Sequence, residues 1–553
     1  MHGAASPLNY RRVIAISRRV GVIVLVGLAY LFWSGMDLPE AKAQATVAVP
    51  CDVDQLKAAL NQANATRTPD TIVLAPACTY TLTTADNHYN GFNGLPVITT
   101  TVTIQGNDSA IVRDSDESFR IFETTVDLTL EDVTLRNGQA AGAGALGKDG
   151  GAIMASSGDL TLRNATVIGN QALDGGGVYL DAGTLTVSDS RIEQNKGNRG
   201  AGLFSPGALV LRDSFIIGNT AIGDDRYGGG VFARNATIST TRFEGNRARQ
   251  GGGLYIWGGR LDLQASTLVR NEASYGGGLY FYPSTLTINN LVNNVWVGNR
   301  GSIEGTALYV RNEQGAEMNL RHNTIADSAR TSVYEGVYLR SVTSSDVFNL
   351  LNNIIVNHGT GVFHAGNGVV TTDTNLYFNN FKDEEGVASS SNHIIANPRF
   401  VDMPNGDLHL TEDSPAIDQG LDVGVTADRD GMPRPQGKGF DIGAFEYVTE
   451  TAIGGLVASN DSPTDLGSTT TFTATVDQGT NIRYTWDFGD GQSDTGAVVS
   501  HDYAAIGTYT TTVVASNILG SVEASTLVVI RESGSPGPIP GEDSSIFIPV
   551  VVR

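Results

Sequence analysis

The sequence predicts an all-β protein, a parallel β-helix followed by a smaller β-sandwich. Three observations point there. A glycine-rich tripeptide returns about every 25 residues through the middle of the chain. Between its copies, apolar and polar residues alternate with period two. Of the 553 residues, 66 are glycine, while charged residues make up 17% and aromatics 7%. That balance excludes a disordered chain, a coiled coil and a polytopic membrane protein. It suits many short strands joined by tight turns.

The first 43 residues read as a secretory leader. Arg11, Arg12, Arg18 and Arg19 precede an apolar run from Val20 to Trp33, and Ala41-Lys42-Ala43 is a small-x-small cleavage site. The alternative is an uncleaved anchor, but the run is shorter than the ~20 residues of a spanning helix. No transmembrane span is expected after cleavage. Removing five Lys/Arg and two Asp/Glu with the leader takes the net charge from −22 to −25. Such a surface repels nucleic acid and anionic lipid. The expected location is extracellular, with possible attachment to the cell surface, and the expected state is a monomer.

The segment 44–99 reads as a cap. Cys51 and Cys78 are the only cysteines, and in an oxidising compartment they predict a disulfide. Leu56, Ala59, Leu60 and Ala63 fall at helical spacing within 54–64, which predicts an amphipathic helix closing the end of the solenoid. The helical coils are expected from 100 to 396.

The repeat itself runs Gly150-Gly151-Ala152, Gly175-Gly176-Gly177, Gly200-Ala201-Gly202, Gly228-Gly229-Gly230, Gly251-Gly252-Gly253 and Gly276-Gly277-Gly278. Glycine triplets exclude a helix and permit a turn with positive φ. The period is too short for a propeller blade and lacks the leucine-rich frame. Stacked coils at strand spacing remain. Val178, Leu203, Val231, Leu254, Leu279 and Leu308 should then form one inward column, and Val167, Ile192, Ile216, Phe243, Leu268 and Trp296 another. Asn170, Asn195, Asn219, Asn246, Asn271 and Asn299 recur ahead of the glycines. They predict an internal amide ladder that satisfies turn backbone.

These features resemble the pectin-lyase-like superfamily of right-handed parallel β-helix proteins. The Gly-Gly-Gly and Phe243-Glu-Gly-Asn246 elements are similar to repeats of polymorphic outer-membrane adhesins. Residues 397–447, with Asn397-Pro-Arg-Phe-Val-Asp402, Ser414-Pro-Ala-Ile-Asp418 and Asp441-Ile-Gly-Ala-Phe-Glu446, resemble a choice-of-anchor Q module. Residues 452–531 resemble a PKD domain, an immunoglobulin-like sandwich, through Tyr484-Thr-Trp-Asp-Phe-Gly-Asp-Gly491 and His501-Asp-Tyr503. Trp486 and Tyr503 should fill its core, with Asp487 and Asp490 as turn residues. Residues 532–553 are a Gly/Pro linker and an apolar tail.

Candidate chemistry lies on the solenoid's outside. Tyr179, Phe204, Phe232, Tyr255, Tyr280 and Tyr309 each follow the inward column by one residue, so alternation puts them on the outer face. Trp257 and Tyr282 lie two residues further on. Exposed rings could stack on sugars or anchor a partner protein; the alternative is a self-stacking ladder. Between Arg191 and Arg270, eleven Lys/Arg, among them Arg199 and Arg249, face six acids. This suggests a basic patch attractive to acidic polysaccharide, or charges scattered over every face. An enlarged loop, Thr220 to Tyr227, carries Asp224, Asp225 and Arg226. By resemblance, lyases of the superfamily use acids to hold Ca²⁺ and an arginine as base, and hydrolases use clustered aspartates. No further acid stack accompanies this one.

No cofactor is required by any motif. Ca²⁺ has one candidate position, Asp428 and Asp430, with Asp418, Asp422 and Asp441 nearby. The leading expectation is a secreted or surface binding and adhesion protein that recognises an extended polysaccharide or a cell-surface partner. The alternatives are a polysaccharide lyase or glycoside hydrolase, and a structural envelope protein.

Overall fold

The computed structural model describes residues 46–532, apart from 67, 141–145, 224, 285, 328–332, 450 and 518. The leader at 1–43 and the tail beyond 532 lie outside the described residues. So does Asp224. No helix among the described residues is long and apolar enough to cross a membrane.

The chain is nearly all β. A parallel β-solenoid is followed by a sandwich. Each full coil contributes to three parallel sheets. In one coil these strands are Val178–Leu180, Thr184–Ser188 and Arg191–Glu193. Each pairs with its counterpart one coil on, as in Val178 with Leu203, Leu185 with Leu209 and Ile192 with Ile216. The solenoid begins earlier than the glycine repeat indicated. Thr46–Val49 already pairs in parallel with Asp70–Leu74, and that strand with Val102–Arg113. These first rungs carry no glycine triplet, so the repeat could not reveal them. The last paired rung is Ile394–Ile395.

Both inward columns form as the alternation requires. Val178, Leu203, Val231, Leu254, Leu279 and Leu308 are all fully buried, as are Val167, Ile192, Ile216, Phe243 and Leu268, with Trp296 1% exposed. The turn between them demands glycine. Gly251 has φ 63°, and a Cβ there would lie 2.0 Å from the Leu254 carbonyl oxygen.

The asparagines form a continuous amide ladder inside the turn. Nδ2 of Asn170 donates to Oδ1 of Asn195, and the pattern continues through Asn219, Asn246, Asn271 and Asn299 at 2.9–3.0 Å. Each Oδ1 also accepts the backbone N–H of the previous asparagine, as Asn246 does from Asn219 at 3.0 Å. The second Nδ2 proton goes to a strand carbonyl, from Asn246 to Ile216 at 2.8 Å. A second polar file sits at another corner. There Ser190, Ser214, Thr241 and Ser266 give way to Asn294, Asn323, Asn353 and Asn375, which are again linked at 3.0 Å.

The ends are closed differently. Helix α1 (Val53–Asn64), capped by Asp52, buries Leu56, Ala59, Leu60 and Ala63 over the first rungs. The Cys51–Cys78 disulfide ties this cap to the strand that follows. At the other end, Tyr377 donates to Glu384 at 2.6 Å, and His393 contacts Glu384 at 3.2 Å. These groups place hydrogen-bonding chemistry where the apolar column would otherwise meet water.

Residues 397–447 do not sit on that end. They run back along the outer face of the third sheet. Leu408, Leu410, Ala416, Ile442, Ala444 and Phe445 pack on Val295, Ala326, Ile354, Val356 and Leu376. Arg434 and Glu446 form a fully buried ion pair at 2.5 Å within this strap, and Arg434 also donates to the Gly443 carbonyl. Paired and hydrogen-bonded in this way, the two charges can be tolerated away from water. The sandwich that follows has sheets of three and five strands. Trp486 and Tyr503 fill its core as expected, at 0% and 4% exposure. Asp487 and Asp490 accept turn amides from Gly489 and Gln492.

The amide ladder generates a test. Asn246→Ala should strand buried donors and acceptors on two coils. Chemical denaturation should report a loss of about 3 kcal/mol; a change within about 0.5 kcal/mol, the scale of a neutral surface substitution, would show that the ladder is dispensable.

Candidate functional site

The outer file of the first sheet is a stack of rings. Tyr179, Phe204, Phe232, Tyr255, Tyr280, Tyr309 and Tyr338 lie face to face with centroids 4.8–5.1 Å apart. That spacing is the strand spacing, so the backbone register itself sets the ring separation. The rings are outward, as alternation predicts, but they are not open. From Tyr179 to Tyr309 they are 3–8% exposed. Each face is covered by the next ring, and the edges are flanked by side chains on both sides. Their flat faces are therefore not presented to a sugar.

One flank is the residue just ahead of each glycine turn. Asp149, Asp174 and Arg199 occupy it first, then Tyr227 and Tyr275. Arg199 pairs with Asp174 and lies over Phe204 and Phe232, 5.0 and 6.0 Å from the ring centroids. This sequence-selected cation is thus committed to its own protein. Tyr227 stacks on Tyr255 at 5.1 Å. Asp149 is buried, and its pKa is pushed up to about 6, first by burial and then by the neighbouring Asp174 carboxylate.

The other flank is open. The file two residues beyond the ladder reads Arg234, Trp257, Tyr282, Arg311 and Arg340. Trp257 is paired in register with Tyr282, and Arg311 with Arg340. Ala233 pairs with Ile256, which carries the register from Arg234 to Trp257. Trp257 is 52% exposed, Arg234 and Arg340 are exposed, and Tyr282 and Arg311 are half-buried. The ladder hydroxyls support this strip. Tyr280 is hydrogen-bonded to Arg311 and Tyr309 to Arg340. Burial pushes both phenols up to about 12, so they stay protonated. Arg311 lies 5.7 Å from the Tyr282 ring centroid and is paired with Glu313 at 2.6 Å. Among the described residues, Arg234 and Arg340 form no ion pair within 4 Å.

The sequence singled out Trp257 and Tyr282 but missed Arg311 and Arg340. The signal was present. Val337-Tyr338-Leu339-Arg340 repeats Leu308-Tyr309-Val310-Arg311, and reading two residues past each ladder ring would have found both cations.

The basic stretch between 191 and 270 is not one patch. Arg191, Arg242, Arg247, Arg260 and Arg270 are each paired with an acid, namely Glu193, Glu244, Glu272, Asp262 and Glu244. Arg191 and Arg242 lie on the third sheet, whereas Arg212 follows the second. A period of one coil spreads successive arginines around the circumference. Arg226 and Arg249 are neighbours at the enlarged turn, where the Arg249 amide donates to the Arg226 carbonyl at 2.8 Å. Asp225, Arg226 and Arg249 are exposed.

The Ca²⁺ candidates serve the strap. Oδ1 of Asp428 accepts the amides of Asp430 and Met432 at 2.8 Å, and Oδ2 accepts Glu446 at 2.9 Å. Asp430 is bonded to His409 at 2.8 Å, Asp418 accepts from Gly439, and Asp422 from Gly424. Asp441 accepts from Asp418 at 2.7 Å, and burial raises its pKa to about 7. These carboxylates close turns, and no group of three or more His, Cys, Asp or Glu among the described residues is arranged to hold a metal. An open oxygen cage of the kind Ca²⁺ takes is not assembled from this set.

The sandwich carries the strands, the buried Trp486 and the Asp-Gly turn expected of one domain type, and the comparison is decisive there. Residues 455–530 match the PKD domain. Among solved structures, this chain is similar to the PKD domain from the human VPS10 domain-containing receptor SorCS2. The identity is 24%, the match covers 16% of this chain and 83% of that one, and the TM-score is 0.15. No curated protein matches the chain.

The Asp149 environment has a signed consequence. A carboxyl raised to about 6 when folded, against 3.8 as its ordinary value, contributes stability below pH 3.8 that is lost as pH rises through about 6. Asp149→Asn keeps an oxygen for the Asp174 amide and removes that titration. Thermal melts from pH 4.5 to 7.5 should show wild type losing ground to the variant as pH rises. Parallel curves would contradict this.

Proposed function

We propose that this chain is an extracellular or surface-displayed binding protein whose solenoid lays an extended acidic polysaccharide along its first sheet. The reading rests above all on the open strip, where Trp257 and Tyr282 stand on consecutive coils between the unpaired cations Arg234 and Arg340. A solenoid advances ~4.8 Å per coil, so four steps from Arg234 to Arg340 span about 19 Å. A polymer parallel to the axis meets one side chain per coil. Aromatic rings offer apolar faces to sugar rings, and the guanidiniums offer paired donors to carboxylates. The buried ladder beneath, hydrogen-bonded to Arg311 and Arg340, holds the strip in place before any ligand arrives, which lowers the ordering cost of binding.

The disulfide supports an oxidising location. The PKD domain, at the far end of the chain from the cap, acts in this reading as a spacer or auxiliary contact. The basic character of the strip is local, which fits an acidic ligand despite the strongly negative whole.

Affinity electrophoresis in gels containing alginate or polygalacturonate tests the proposal. Wild type should be retarded. Trp257→Ala should weaken binding about tenfold, equivalent to about 1.4 kcal/mol. Arg234→Ser with Arg340→Ser should weaken binding to these acidic polymers and steepen no response to a neutral glucan. Equal migration of wild type and Trp257→Ala in every gel would overturn the proposal. Unsaturated products formed by wild type and lost in Arg226→Ala would replace it with the lyase alternative.

A further inference from the structure

The outer file of the first sheet has a first rung that is not aromatic. Glu123 pairs in register with Met154, and Met154 with Tyr179. Glu123 is fully buried, and its carboxylate is completely engaged. Asn90 Nδ2 donates to one oxygen at 2.6 Å, and Asn93 Nδ2 to the other at 2.8 Å. Arg120, also fully buried, approaches the same oxygen at 3.3 Å and donates to the carbonyls of Asn90 and Leu146 at 3.1 and 2.8 Å. A buried ion pair is a costly way to close a sheet. Here it pins a loop.

That loop, residues 86–93, folds back on itself. The Asp86 amide donates to the Asn93 carbonyl, and the Asn93 amide to the Asn87 carbonyl. Asn93 also bridges to Arg120 in the next coil. The loop therefore lies on the first rung of the file that carries the ladder. It presents two large rings to water: Tyr89 is 66% exposed and Phe92 39%. His88 packs edge-on against Phe92 at 4.5 Å. Scattered exposed apolar residues need no explanation. Two rings held out by a fully buried Arg–Glu pair are different, because the flexible alternative of folding them inward has been removed.

We infer that Tyr89 and Phe92 form a second contact point for the same polymer, so that the solenoid measures ligand length. This rests on the binding reading given above. Five register steps separate the Glu123 rung from that of Tyr255 and Trp257. At strand spacing this is about 24 Å. A short oligomer reaches only the Trp257–Tyr282 pair. A long chain engages both points, and the second contact then becomes intramolecular, which raises avidity without new chemistry.

The experiment compares polygalacturonate with a short oligomer of about four sugars, a length set by the axial span of the strip alone. Calorimetry is done on wild type, Trp257→Ala and the double variant Tyr89→Ala/Phe92→Ala. Both loop rings are exposed, so the double variant should keep the wild-type melting temperature, which circular dichroism verifies. The expected result is that the loop variant binds polygalacturonate about tenfold more weakly and the short oligomer unchanged. Trp257→Ala should weaken both. If the loop variant binds the polymer like wild type while Trp257→Ala is impaired, the second contact is refuted and the strip stands. If Trp257→Ala is unaffected with both ligands, the strip itself falls and the span inference falls with it. Equal impairment of the loop variant with both ligand lengths would also overturn length measurement.

Discussion

Each coil of this solenoid finds its backbone hydrogen-bond partners in the coils before and after it. No strand closes its own ladder within one turn, and the corners cannot be left unsatisfied because they are buried. The internal asparagine file meets that requirement at the tightest corner. Every amide in it serves the turn before, the turn after and its neighbour's side chain. The serine-to-asparagine file does the same at another corner. With both corners fixed, the register of all three sheets follows, and so does the stacking of whatever stands outside.

The outside is where the coils diverge. On the third sheet, one outward file reads Arg191, Phe215, Arg242, then Thr267, Val295, Thr324, Ile354 and Leu376. The early members face water, and the later ones are buried under the strap 397–447. The shift from charge to aliphatic side chains marks where the strap begins. On the first sheet, stacked rings take the place of a covering segment. They shield one another and form a stiff floor.

That floor makes the open strip usable. Side chains on a flat sheet would otherwise sample several rotamers. Here Arg311 is held by Tyr280 and Glu313, and Arg340 by Tyr309. The aromatic residues most visible in the sequence therefore have a supporting role, and the residues beside them meet the solvent. Charge behaves similarly. Most arginines of the basic stretch are neutralised locally, and the free ones are identified only by the absence of an acid in the adjacent coil.

Much of the architecture was legible in the linear order of residues. The glycine period, the alternation, the recurring asparagine, the helical spacing of Leu56, Ala59, Leu60 and Ala63, and the cysteine pair are all local or strictly periodic signals. Local and periodic signals survive without coordinates. The first rungs, Thr46–Val49 and Asp70–Leu74, were hidden because their corners lack glycine. The course of the strap was hidden because its partners lie far away in the chain; Arg429, for example, is bonded to Thr267. The sequence by itself determined which residues face outward, since alternation needs only the peptide geometry. Tertiary structure alone decided which of those outward residues remain in contact with water, because burial depends on what neighbouring coils and distant segments place beside them.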